Sequence, residues 1–339
     1  MPVLARLWGR VALVRRMQLH TRLIVLACAA LLAAGMGSAW AEYPERPIRL
    51  IVPFPAGGTV DLVARLVTAR MAEDLKQPFV IENRGGAGGV IATDATAKAA
   101  HDGYTLLLTT PNHTINAALQ PKLPYDTEKD LVPIAMVAEV PELLVSHPDA
   151  PFADFAGFLK YAKANPGKLN YASAGNGTLP HVTMELLLRG FDVAVTHIPY
   201  RGAAPAMTDL LAGQVQLKMD TYATASAHVA AGKLRALAYA AHARLKLMPD
   251  VPTVAELGLP GYAGVLWMGL LAPAGTPQPI IDKLAATVKR AVDARELAER
   301  LQRDGIEPIG GDPGEFATLI TREIAQWREL AKSASIKLD

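Results

Sequence analysis

Cysteine is all but missing from this chain: the only one in 339 residues is Cys28, inside an apolar N-terminal run. Everything beyond it must therefore do without disulfides, thiolate nucleophiles and cysteine zinc ligands, and must draw its stability from core burial. Long apolar runs are scarce too. Past the N-terminal segment no stretch approaches the ~18 uninterrupted apolar residues of a membrane-spanning helix. Runs of Lys and Arg are also absent, which argues against a phosphate-backbone partner, so no nucleic acid is expected. The histidines after residue 41 (His101, His113, His147, His181, His197, His228 and His242) form no H-x-x-x-H or H-E-x-x-H pair, and no metal site is expected. No G-x-S-x-G elbow occurs; Ser173 stands in "YASAG", and nothing pairs it with a base by spacing. The "GGAGGV" at 85–90 lacks the third glycine of a dinucleotide fingerprint and the acid about 20 residues further on. No cofactor is expected.

What is present begins with an export signal. Residues 1–41 carry Arg6, Arg10, Arg15, Arg16 and Arg22, no acid, then "LIVLACAALLAAGMG" and the small-residue site Ala39-Trp40-Ala41. This reads as a secretory signal peptide cleaved after Ala41, with periplasmic localisation. A start at Met17 would leave a more ordinary signal of about 25 residues. Arg15-Arg16 hints at twin-arginine export and "VLAC" loosely at a lipoprotein box, but Sec export is the expectation. Without those arginines the formal charge of +2 becomes a small negative excess. The remaining chain of about 300 residues is long enough to bury roughly three quarters of its unfolded surface, usually in two domains.

Short β-rich runs alternate with helix-period segments, the rhythm of a mostly parallel α/β architecture. "IRLIVPF", "FVIEN" and "YTLLLTT" read as strands separated by the helices "TVDLVARLVTARMAEDL" and "GVIATDATAKAA". After a crossing segment, "PIAMVAEVPELLVSHPD", read as two strands, the series restarts with a helix at "DFAGFLKYAKANP", a strand at "LNYASAG" and a helix at "LPHVTMELLLRG". Strands at Val193 to Tyr200 and "VQLKMDT", the helix "APAMTDLLAG" and a helix-strand pair around "AHVAAGKLRALAYA" follow. "VLWMGLLAP" is a strand, and helices are expected over Pro277 to Val292 and Pro313 to Ser333. Leu62, Leu66 and Ala69, at helical spacing, are expected to face the core.

Three strand-to-helix junctions carry chemistry. In "VPFPAGGTVDLVAR", Gly57 and Gly58 let a ligand approach the backbone, Thr59 is a plausible N-cap, and Asp61 lies in the first turn. A helix start with unpaired N–H groups is an anion site; alternatively the loop is a tight connection whose donors see only water or Asp61. "NYASAGNGTLPH" repeats the design through Ser173, Gly175, Asn176 and Gly177 to a helix near Thr178 with Pro180 in its first turn. One such loop in each lobe suggests a cleft at the carboxyl ends of the strands. "HIPYRGAAPAM" adds Tyr200, Arg201 and Gly202, where Arg201 either pairs with a carboxylate or is solvated.

The motifs "YPERPIRLIVPFPAGGTVDLVAR", "VIENRGGAGGVIAT", "DGYTLLLTT", "YASAGNGTLPH", "HIPYRGAAPAMTDLLAGQV", "GKLRALA", "PDVPTVAELGLPGY" and "APAGTP" follow in the order and spacing of the tripartite tricarboxylate transporter substrate receptors, the Bug proteins. The resemblance covers essentially the whole chain after residue 41. It implies a type II periplasmic-binding-protein fold with two α/β lobes closing on a small organic carboxylate. Lobe 1 would comprise 42–140 plus 244–339, and lobe 2 141–243. It also implies binding by Ala56, Gly57, Gly58, Thr59 and Asp61 from one loop, and by Ser173, Ala174, Gly175, Asn176, Gly177, Thr178 and His181 from the other. Thr110, Asn112 and Asp220 are further candidates. His181 reads more simply as a capped first-turn residue. Asp61 and Asp220 would repel a carboxylate, so they either orient water and loop N–H groups or face an amino or hydroxyl group. "TTPNHTIN" departs from the small residues more usual there, so that His113 and Asn116 would alter the pocket. The expected role is a non-enzymatic, monomeric receptor that delivers its ligand to membrane permease subunits. The alternatives are a sensor for a histidine-kinase ectodomain and an exported hydrolase.

Overall fold

The computed structural model describes residues 43–334 apart from Pro121 and His242. The signal peptide, Cys28 and His242 therefore lie outside the described residues. From Arg46 onward the chain forms one compact unit.

The first lobe starts from β1 (Ile48–Val52), four of whose five side chains are buried, as in a parallel strand covered on both faces. It runs through residues 53–58 into α1 (Thr59–Leu75). The core face of α1 is Val60, Val63, Ala64, Val67, Met71 and Leu75. Leu62 and Leu66 are only partly buried and Ala69 is exposed, so the expected stripe is out of phase. Both rows of the helix are apolar at helical spacing, and packing selects the other one. β2 (Phe79–Asn83), α2 (Val90–Ala97), β3 (Thr105–Thr109) and α3 (Asn112–Leu119) follow. β2 and β3 lie parallel on either side of β1.

A single strand, β4 (Leu131–Ser146), occupies the segment read as two. Pro141 lies inside it, although proline cannot donate to a ladder. The strand instead changes partners there. Up to Pro141 it pairs antiparallel with β9 (Val265–Pro273), and from Glu142 with β7 (Leu217–Thr221) and β8 (Arg235–Ala240). β4 thus belongs to both lobes.

The second lobe repeats the plan: α4 (Phe155–Ala164), β5 (Asn170–Ser173), α5 (Leu179–Gly190), β6 (Thr196–Pro199), α6 (Ala203–Leu211), then β7, α7 (Tyr222–Ala230) and β8. Asp154 caps α4 by accepting from Gly157 N at 2.7 Å. β6 and β7 flank β5 in parallel, so the sheet order is β2-β1-β3-β9-β4-β7-β5-β6. Phe158, Tyr171, Met184 and Leu217 fill one side of the second sheet, and Leu143, Ala172, Leu210 and Tyr239 the other. Val254 and Tyr262, in a segment the sequence reading gave to the first lobe, pack into the second-lobe core. The chain then returns through β9 and ends with α8 (Gln278–Asp293), α9 (Arg295–Arg303), β10 (Glu307–Pro308) and α10 (Pro313–Ala334). α9 was not anticipated. α10 presses Phe316 and Ile320 onto Ile51, Leu107 and Leu271 of the first sheet.

Candidate ligand-binding site

The three junctions meet. Thr59 Oγ1 shares a 2.7 Å hydrogen bond with Thr221 Oγ1, and Asn112 Oδ1 accepts from Leu179 N at 3.0 Å. A Cβ on Gly202 would stand 2.8 Å from Pro55 Cδ, and one on Gly58 3.8 Å from Ala203 Cβ. These contacts bring the lobes together around a small pocket of about 60 Å³. A wider groove of about 540 Å³ outside it shares Gly58, Asp61, Ala203 and Asp220 and adds Gly57 and Arg65. A larger groove, about 670 Å³ between Met136, Trp267 and Trp327, is lined by none of the expected site residues.

Of the first junction, Gly58, Thr59 and Asp61 line the cavity, together with Phe54, Pro55 and Val60. The N-cap is Gly58, not Thr59, whose hydroxyl goes to Thr221. As N1 to N3, Thr59, Val60 and Asp61 carry N–H groups with no carbonyl partner inside the helix. Asp61 turns its carboxylate to Gly57 N (3.1 Å), Asn83 Nδ2 (3.0 Å) and the Arg65 guanidinium (3.0 Å). Burial alone would raise its pKa, but these hydrogen bonds outweigh it and hold the group below the usual carboxylate range. Asp61 therefore orients the loop. Ala56 and Gly57 are exposed outside the cavity.

The second junction is folded onto itself. Only Ala174 and Thr178 of its expected residues line the cavity, with Pro180. Ser173, Gly175, Asn176, Gly177 and His181 do not. Gly175 N donates to Ser173 Oγ (3.1 Å), Gly177 N to His181 Nδ1 (3.2 Å) and Thr178 N to Gly175 O (3.2 Å). The N–H of Leu179 is given to Asn112, and Pro180 has none. Ser173 does have a basic neighbour that spacing could not show: His197 Nε2 lies 2.6 Å from Ser173 Oγ. β5 and β6 are registered with Tyr171 opposite His197, which stacks between Tyr171 and His181 at centroid distances of 4.7 and 4.2 Å. Burial, with His181 adding, lowers the His197 pKa to about 4. Ser173 is fully buried and outside the cavity, so this pair buttresses the loop from behind.

At the third junction Tyr200 gives its hydroxyl to Asp209 and Arg201 is exposed; neither lines the cavity, whereas Ala203, next to Gly202, does. Thr110 is buried but outside the cavity, while Asn112 lines it. His113 and Asn116, expected to alter the pocket, do not line it; Asn116 and Asn112 donate instead to Gly88 O at 3.0 and 3.2 Å, bracing the glycine loop at 85–89.

Asp220 lines the cavity with two charged residues that sequence reasoning missed, Lys218 and Glu142. Asp220 Oδ1 accepts from Thr221 N (2.8 Å) and Thr224 Oγ1 (2.6 Å), while Oδ2 stands 2.7 Å from Lys218 Nζ. Lys218 is 1% exposed and Glu142 2%. Burial pushes the Glu142 carboxyl up to about 8, against partial relief from the Thr183 hydroxyl and Lys218 and with a further push from Asp220. A signal for Lys218 was present in "VQLKMDT", where every position of the strand is buried and a lysine stands between Leu217 and Met219.

Two α/β lobes that share a strand and meet around a small pocket, with the start of α1 and the charged Glu142, Lys218 and Asp220 in its largely apolar wall, define a solute-binding protein of the periplasmic class. Residues 63–336 match the family described as tripartite tricarboxylate transporter family receptor, and the chain belongs to that family. It is 38% identical to protein BugT of Bordetella pertussis over 298 residues, 87% of this chain and 91% of that protein. It also resembles MatC from Rhodopseudomonas palustris with bound malate (40% identity, TM-score 0.81, covering 85% of this chain and 99% of that one). A further R. palustris protein, solved with adipate, is 36% identical with TM-score 0.84, covering 87% of this chain and 99% of that one.

Proposed function

We propose that this protein captures a small organic carboxylate in the periplasm and delivers it to the membrane subunits of a tripartite transporter, without catalysing a reaction. The observation that carries this reading is the start of α1: Gly58, Thr59 and Val60 border a pocket lined from both lobes, with an anion-attracting helix end over it. The relatives solved with malate and adipate support a carboxylate as the ligand. Residues 1–41 serve as the cleaved export signal, and the mature chain acts as a monomer. Lobe 1 is 42–140 with the C-terminal part of the chain, lobe 2 begins at 141, and the hinge is the pair of crossings at Pro141/Glu142 and Gly264/Val265. Gly58, Thr59, Asn112, Ala174, Thr178 and Asp220 form the first ring around the ligand; Asp61 and Ser173 position the loops.

The test is thermal unfolding of the mature protein, refolded to strip carried-over ligand, against small carboxylates and their amides. Ligand at about a hundred times its Kd stabilises by about 2.7 kcal/mol, which moves the midpoint by several degrees. A shift with an acid and none with its amide is the expected result. No shift with any acid would remove the anion role of α1.

A further inference from the structure

The second junction contains the only Asn-Gly pair of the sequence, Asn176-Gly177. Asn176 is exposed, and no hydrogen bond among the described residues holds its side-chain amide, whereas those of Asn83, Asn112, Asn116 and Asn165 donate to main-chain oxygens. Gly177 has no Cβ to keep a neighbouring group away from its nitrogen. That nitrogen already offers its hydrogen to a base: Gly177 N donates to His181 Nδ1 at 3.2 Å. An accepting Nδ1 puts the ring proton on Nε2. His181 is 8% exposed, and burial, against a smaller opposite push from Glu185, lowers its pKa, so that Nδ1 is unprotonated at neutral pH.

We propose that Asn176-Gly177 is a self-modification site, at which His181 serves as the base and the asparagine is converted to aspartate and isoaspartate with loss of ammonia. The Gly177 nitrogen attacks Asn176 Cγ as His181 Nδ1 takes its proton. The N–Cγ bond forms, the Cγ–Nδ2 bond breaks, and the proton returns from His181 to the departing nitrogen, which leaves as ammonia. Water then opens the five-membered imide at one carbonyl or the other, giving aspartate or isoaspartate at position 176. Nothing is oxidised or reduced, and water, which reaches the exposed Asn176, is the only co-reactant.

The product changes the junction in two ways. It adds a negative charge, and isoaspartate also lengthens the main chain by one carbon beside a donor that the loop uses. The space for that carbon is limited, because a Cβ on Gly88 of the first lobe would stand 3.2 Å from Asn176 O. Ala174 and Thr178 of the same junction line the pocket. On the receptor reading above, the converted protein therefore binds its carboxylate more weakly, by about fivefold, the worth of one hydrogen bond.

The test is incubation of the folded mature protein at neutral pH for several weeks, followed by peptide mass spectrometry for conversion of amide to acid and by isoaspartate-specific methylation. Asn176 should convert before any other asparagine. His181→Phe, which has no base, and His181→Gln, whose side-chain carbonyl still accepts from Gly177 N, are measured beside it, with their melting transitions as a check on folding. Both should slow conversion by at least about tenfold, less than the full effect of a positioned base because buffer also catalyses the step. An imidazole that only holds the loop still would give the opposite result in His181→Phe, because a looser junction converts faster. Conversion at the wild-type rate or faster in either variant overturns the role of His181, and an Asn176 that outlasts the other asparagines overturns the site. These readouts need no ligand, so they stand or fall apart from the receptor reading; calorimetry of converted against fresh protein then measures the cost to binding.

Discussion

At the first junction the N–H groups of Thr59, Val60 and Asp61 remain over the cavity, because Asp61 turns its carboxylate aside to Gly57, Asn83 and Arg65. At the second, the same kind of glycine-rich entry into a helix spends its donors at home: Gly175 N on Ser173, Gly177 N on His181, and Leu179 N on Asn112. The first is built around an ion pair and the second around a neutral stack of His181, His197 and Tyr171. A helix N-terminus is an anion site only while its donors are unspent. The second junction acts as a latch, closing the lobe through Asn112 and shaping the cavity with Ala174 and Thr178.

Breaking the closure should have the largest effect. Gly202 has φ +121°, and a side chain there meets Pro55. Gly202→Val should weaken carboxylate binding by about 100-fold, the combined effect of backbone strain and a lost closed state. Calorimetry that found affinity within threefold of wild type would mean that the third junction does not seat against the first.

Acid should separate the two junctions next. His197 is held neutral by a pKa lowered to about 4, whereas an unfolded histidine takes its proton near 6.5. As pH falls from 6.5 towards 4, the unfolded chain binds a proton that the fold does not, so stability is lost across that window, by on the order of 2 kcal/mol for this half-buried ring. The first junction rests on Asp61, whose lowered pKa keeps its contribution whole above the ordinary carboxylate range and loses it only as pH falls through that range and below. Amide exchange at pH 5, corrected for intrinsic rates, should therefore rise at 174–178 before 57–61. His113, also lowered to about 4, adds to the global loss, which is why local exchange and not the melting point makes the distinction. Equal protection changes at both loops would erase the contrast.

The smallest effect is expected from the latch itself. Asn112→Ala removes the acceptor for Leu179 N and a donor to Gly88 O. Losing these should cost about 1 kcal/mol of closure and about fivefold in affinity. An affinity loss in Asn112→Ala that matches Gly202→Val would make the second junction as central as the first.

The strand-helix rhythm, the glycine junctions and the family motifs were legible because each is local in the chain. The phase of α1 was not, since Leu62 and Leu66 are as apolar as Val63 and Val67 and only packing separates the two rows. The segment read as two strands is the single β4; proline interrupts a ladder, and Pro141 is tolerated where the strand exchanges β9 for β7 and β8. His197 was invisible beside Ser173 because the pair is made by parallel register across β5 and β6. Lys218 and Glu142 were missed because a lone sequence does not say which strands face one cavity.

By itself the sequence determined the class of most elements and where glycine frees a backbone for approach, because propensity, turn chemistry and hydrophobic period act over a few residues. Only the tertiary structure decided which helix start keeps its donors, which charges share the cavity and where one strand passes between lobes. Each of these depends on hydrogen-bond partners and burial supplied by residues far away in the chain.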